Sequence, residues 1–191
     1  IFIESSFAKE NDQNLAFTPS FSSILDTLHL GISTNTPVIL EGMPGQGKQT
    51  AINCLANMLG FNVINIIISK TTKTEDLLGK TTIVRDNDDI MHVKLIQTKL
   101  VKVLKSIDES QKTIIVFHNL NNASAAVLSI LNTIFDQNQK NLLLKDGTIV
   151  KMKKIYLVGI FNPQNGIYRR DKLPSSLIYS SIYYIVDNPQ E

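Results

Sequence analysis

Tryptophan is absent from this chain, and cysteine occurs once, at Cys54. A lone thiol excludes any internal disulfide, so the fold has to be held by its core. A reducing, intracellular setting is expected, with no distinction between nucleus and cytoplasm. With 3 scattered histidines, no clustered His/Cys metal site can be drawn from spacing. No apolar run reaches the length that spans a bilayer, so no membrane segment is expected. Charge of one sign is lacking too: 19 Lys and Arg against 17 Asp and Glu leave a net +2, with the signs interspersed. Such a surface has no field to capture nucleic acid or an anionic membrane. Aromatic residues interleaved with basic ones, the pattern of single-strand binders, are missing. So are internal repeats, and spacing alone places no nucleophile beside a base. What is left is a chain of 191 residues, 43% hydrophobic, enough for one domain with a sizeable core. It opens on Ile1 rather than Met and stops at Glu191, and we expect it to be a piece of a longer protein.

The informative stretch is Pro37-Val-Ile-Leu-Glu-Gly-Met-Pro-Gly-Gln-Gly-Lys-Gln-Thr50. Pro37 to Leu40 read as the end of a buried strand. Gly42-Met-Pro-Gly-Gln-Gly-Lys48 fits the G-x-x-x-x-G-K part of a P-loop. Ala51 to Leu59 place apolar residues at helical spacing, and Gly60 stops them. Strand, glycine loop and helix together are the context that a phosphate cradle needs. Glycines let successive N–H groups turn inward, the helix N-terminus faces the same anion, and Lys48 adds a point charge. The expected nucleotide contacts are therefore Gly42, Met43, Pro44, Gly45, Gln46, Gly47, Lys48, Gln49 and Thr50. One position is off pattern: the hydroxyl that normally follows the lysine and holds Mg²⁺ is replaced by Gln49. The hydroxyl of Thr50 comes one residue later, a helical rotation of about 100° that aims it elsewhere. Gln49 offers an amide oxygen instead, so Gln49 or Thr50 is the candidate metal ligand.

The rest of the chain supplies strands and helices in alternation. Ser20 is the expected cap of a helix over Phe21–Leu30, which Gly31 ends. Phe61–Ser69 reads as a buried strand, and Lys70–Gly79 as a loop with a helical turn. A hairpin is expected around Asp86–Asp89, with His92 exposed on it, followed by a helix over residues 95–108. Thr113–Phe117 is a further buried strand that leaves through His118 and Asn119. A helix from Ala123 to Phe135 and a hairpin turning at Asp146-Gly147 come next. The strand Ile155–Ile160, a basic loop with Arg169 and Arg170, a short helix from Pro174 to Leu177, and the strand Ile182–Val186 complete the chain. Five strands alternating with helices predict an α/β fold, a three-layer P-loop sandwich on a mostly parallel five-stranded sheet. Residues 1–16 read as an N-terminal extension and 17–187 as the α/β domain.

The order of these parts resembles the AAA+ ATPases, and more narrowly the midasin and MoxR, or dynein-related, branch. The likeness rests on Val38–Lys48, Thr74-Glu-Asp-Leu-Leu-Gly79, His118-Asn-Leu-Asn-Asn-Ala-Ser124, Leu128–Ile134, Ile160-Phe-Asn-Pro163 and Gly166–Ser181. The resemblance implies ATP or ADP as ligand, with Mg²⁺, and neighbouring AAA+ modules of the same chain or ring as partners. It also implies a remodelled protein or ribonucleoprotein as substrate, and a helical lid after the last strand, outside this chain.

Departures fall on residues that do the family's chemistry. Family members end the third strand with Asp-Glu, the Asp reaching Mg²⁺ through water and the Glu polarising the attacking water. This chain has His118 and Asn119 there. Ile178 and Ser180 stand where the family has arginines that reach a neighbour's nucleotide, while Asn162 keeps the polar sensor position. The expectation is a module that binds ATP and hydrolyses it weakly or not at all. Two alternatives stand beside it. One is an active ATPase with displaced groups (Thr50 for the metal, His118 as base, Arg169 or Arg170 as finger). The other is a nucleotide-free scaffold of the ring.

Overall fold

The computed structural model describes residues 18–85, 91–96, 98–106, 112–136, 141–143, 149–152, 154–163 and 173–186. The expected extension at 1–16, the turns at Asp86–Asp89 and Asp146-Gly147, and the loop carrying Arg169 and Arg170 lie outside the described residues.

In chain order the elements begin with α1 (Pro19–Thr34), β1 (Val38–Glu41), α2 (Lys48–Leu59), β2 (Asn62–Ile67), α3 (Thr74–Leu78), β3 (Lys80–Arg85) and β4 (Met91–Ile96). They continue with α4 (Lys99–Ser106), β5 (Thr113–His118), a 3₁₀ turn (Leu120–Asn122), α5 (Ala125–Ile134), β6 (Asn141–Leu143), β7 (Ile149–Lys151), β8 (Ile155–Phe161), α6 (Ser175–Tyr179) and β9 (Ile182–Ile185). Five strands form one sheet in the order β2-β5-β8-β1-β9. All four neighbouring pairs in it are parallel. The pairs β3–β4 and β6–β7 are antiparallel two-stranded sheets, as the hairpin expectations required.

Side chains alternate across the strands, and this alternation builds two cores. Val38, Leu40, Ile114, Val116, Val158 and Ile160 face α1 and α2, where Phe21, Ile24, Leu25, Leu28, Ile52 and Leu55 meet them. Ile39, Ile115, Phe117, Leu157 and Phe161 face the other way, onto apolar residues of α3, α4, α5 and α6. The result is the three-layer α/β sandwich predicted from the sequence. β1 lies second from one edge, between β8 and β9, so its C-terminal end, where the glycine loop starts, opens between paired strands.

Several boundaries differ from the sequence reading. Thr18, not Ser20, caps α1, accepting the Phe21 N–H at 3.2 Å, with Pro19 in the first turn. Gly31 does not end the helix; α1 runs to Thr34 and closes on Asn35 in the left-handed region, φ 53°. A Cβ on Gly31 would lie 2.2 Å from Val38 Cγ2, so this glycine is there to let the helix touch β1. β2 is an edge strand rather than a buried one, with Ile67 73% exposed. Residues 95 and 96 belong to β4, and α4 starts only at Lys99, after Thr98 has accepted the Val101 N–H. A 3₁₀ turn precedes α5, whose cap is Ser124.

Candidate phosphate-binding site

The loop between β1 and α2 is shaped by two left-handed glycines, Gly45 at φ 88° and Gly47 at φ 75°. An L side chain at either would be strained. Gly42 is tied to the sheet, its N–H donating to the Phe161 carbonyl at 3.2 Å. A Cβ on Gly42 would lie 2.3 Å from Gln46 Oε1 and 3.3 Å from Lys48 Nζ, so the loop closes around a space only glycine leaves free. α2 begins at Lys48, and its N-cap, Gly47, brings no side chain to bond the first-turn N–H groups. Those donors and the positive end of the helix dipole face outward, the arrangement that receives an anion.

Lys48 is 6% exposed, and its Nζ donates to the carbonyls of Gly42 and Met43, each at 2.7 Å. Burial lowers its pKa from the usual lysine value. The lysine is thus bent back along the inner wall of the loop, its charge held by the same backbone whose N–H groups line the cradle. The residues present fit a nucleotide polyphosphate.

Around this cradle the other sequence candidates take distinct places. Pro44 and Gly45 are exposed at the loop tip, and Thr50 is exposed on α2. Gln49 turns sideways: its Nε2 donates to Asn53 Oδ1 at 2.9 Å and to Asn65 Oδ1 at 3.3 Å. His118, half-buried at the end of β5, brings its Nε2 to the same Asn65 Oδ1 at 2.9 Å. An amide oxygen only accepts, so this contact places the ring proton on Nε2. Burial lowers the His118 pKa below the usual histidine value, which keeps the ring neutral at pH 7. Asn119 takes the left-handed φ of 58°, a conformation in which asparagine is one of the few tolerated side chains. Asn162 follows β8 directly, and its carbonyl accepts from Asn121 Nδ2 at 2.9 Å. Ile178 packs on the core and the Ser180 hydroxyl donates to the Leu177 carbonyl.

Mg²⁺ asks for hard oxygen ligands, usually a carboxylate among them. Positions 49, 50, 118 and 119 hold no carboxylate. Gln49 Oε1, a neutral amide oxygen, is buried and meets no donor among the described residues. No group of three or more His, Cys, Asp or Glu among the described residues could hold a metal ion. The donor set does not fit magnesium.

Two participants escaped the sequence reading. Asn65 is the hub that joins Gln49 to His118. Its signal was a polar residue, with Asn62, inside an otherwise apolar strand run. Glu41, the last residue of β1, accepts a hydrogen bond from the Tyr183 hydroxyl on β9. Burial, and then this carboxylate, drive the Tyr183 pKa far above the usual tyrosine value. The acid nearest the loop is thereby tied to the next strand.

The model of the AAA domain, dynein-related subfamily, matches residues 37–179. Midasin of Giardia intestinalis is 27% identical over 152 residues, covering 79% of this chain and 3% of that protein. Midasin of Dictyostelium discoideum is 34% identical over 68 residues, covering 35% of this chain and 1% of that protein. The chain therefore spans only a few per cent of the length of these relatives. Among solved structures, a candidate ATPase from Cytophaga hutchinsonii matches with a TM-score of 0.54 and 17% identity, covering 86% of this chain and 50% of that one. That likeness is one of fold.

Proposed function

The chain belongs to the dynein-related AAA family, and from that premise we propose that it is an ATP- or ADP-binding AAA+ module of a larger, midasin-like mechanical ATPase, with weak or no hydrolysis in this copy. Its partners on this reading are neighbouring AAA+ modules of one chain or ring, acting on a protein or ribonucleoprotein that the ring remodels. Residues 17–187 serve as the large subdomain.

The observation that carries the reading is the pairing of an intact cradle with a missing hydrolytic pair. Gly45, Gly47 and the buried Lys48 supply what phosphate binding needs. His118 and Asn119 supply no carboxylate to activate water, and His118 Nε2 is committed to Asn65. Loss of a general base alone costs about 10²- to 10⁴-fold in rate. The displaced-group alternative draws no support from Thr50, which is exposed on the helix.

The test is a titration with a fluorescent ATP analogue against Lys48→Ala. One charge-assisted contact is worth about 1.5–3 kcal/mol, so the variant should bind roughly ten- to a hundredfold more weakly. Phosphate release by the wild type should stay at the level of buffer. Nucleotide binding that survives Lys48→Ala unchanged, or turnover that His118→Ala abolishes, would remove this reading.

A further inference from the structure

In a P-loop site the divalent cation has two protein anchors, a hydroxyl at the start of the helix and a carboxylate at the end of the third strand. Here both positions are turned toward each other and locked. Gln49 from α2 and His118 from β5 donate to one acceptor, Asn65 Oδ1 on β2, at 3.3 and 2.9 Å. Asn53 Oδ1, one turn along α2, takes the second Gln49 N–H at 2.9 Å. Both amide hydrogens of Gln49 and the Nε2 proton of His118 are thereby used within the protein. The bridge spans three elements and 69 positions of sequence, from 49 to 118, and every member of it is uncharged.

We propose that this Gln49–Asn65–His118 bridge takes the place of the magnesium site, so that the module binds its nucleotide as the metal-free polyphosphate. The inference rests on the nucleotide-binding reading above and deepens it. A carboxylate at the end of β5 would repel the phosphates unless a cation stood between them. A neutral imidazole imposes no such requirement. Lys48 and the helix N-terminus then meet the phosphate charge without a competing anion at position 118. The bridge also offers a divalent cation only neutral oxygens, Asn65 Oδ1 already shared by two donors and Gln49 Oε1 an amide oxygen without charge.

The test measures ATP affinity of the chain in Mg²⁺ and in EDTA, for the wild type, His118→Asn and the double variant Gln49→Thr with His118→Asp. Folding of each variant is checked by circular dichroism. The wild type and His118→Asn are expected to bind equally in the two buffers, within about threefold. The double variant is expected to bind at least about tenfold tighter in Mg²⁺ than in EDTA. A wild type that Mg²⁺ tightens tenfold overturns this inference and leaves the nucleotide-binding reading standing. A folded double variant indifferent to Mg²⁺ overturns it as well, because charge at these positions would then not govern metal use. Absence of ATP binding in both buffers removes the nucleotide-binding reading and this inference with it.

Discussion

Lys48 and His118 both carry or accept charge where burial resists it, and the two solve the problem differently. Lys48 keeps its proton beside two carbonyl oxygens at 2.7 Å. His118 stays neutral and spends its one N–H on Asn65. A base whose folded pKa is depressed takes up its proton later on acidification than the unfolded chain does. Above about 6.5 the ring is neutral in both states and its effect on stability is flat. As pH falls below that value the unfolded state binds the proton first, so stability declines until the folded pKa is passed. Melting temperature followed from pH 8 to pH 5 should therefore fall more steeply in the wild type than in His118→Asn. Equal slopes would mean the ring is solvated in the folded protein. The place of Lys48 against the glycine loop was legible because a G-x-x-x-x-G-K spacing carries its own geometry. The role of His118 was not, because its partner lies 53 residues away and on another strand.

At the scale of elements, the same contrast separates caps from contacts. Gly60 stops α2 in the left-handed region at φ 66°, as its place after an apolar stripe foretold. Gly31 looks identical in sequence and does the opposite, staying inside α1 because the helix presses on Val38. Gly31→Ala would favour the helix by propensity, by about 1 kcal/mol. The added Cβ would also meet Val38 Cγ2 at 2.2 Å and the Thr36 carbonyl at 2.9 Å. Overpacking of that kind costs about 1–3 kcal/mol, so the clash offsets or exceeds the gain. Chemical denaturation should find Gly31→Ala destabilised, and Gly31→Ala combined with Val38→Ala less penalised than the sum of the two changes. A stabilised single variant would show that α1 can shift away from the sheet. Local propensity could not separate the two glycines, since only the packing of α1 on β1 distinguishes them.

For the whole molecule, stability comes from two cores that share one sheet. Phe117 is fully buried in the core on the α3, α4 and α5 side, with Phe135 tilted against it at 5.7 Å between ring centroids. Phe117→Ala should lose about 3–5 kcal/mol in urea unfolding, since both transfer energy and packing are forfeited. A loss below about 1 kcal/mol would mean that this face is loosely packed. Phe117 immediately precedes His118, so the core that holds β5 rigid also aims the imidazole at Asn65. By itself the sequence determined the glycine loop, the strand–helix alternation and the inward faces, because backbone preference and apolar period act over a few residues. It also determined that His118 and Asn119, and no acid, stand where β5 ends, which is a matter of residue identity. Tertiary structure alone decided the strand order, the exposed edge at β2 and the meeting of Gln49, Asn65 and His118. Those depend on which strands lie side by side and in what register, and no local interaction in the chain specifies that.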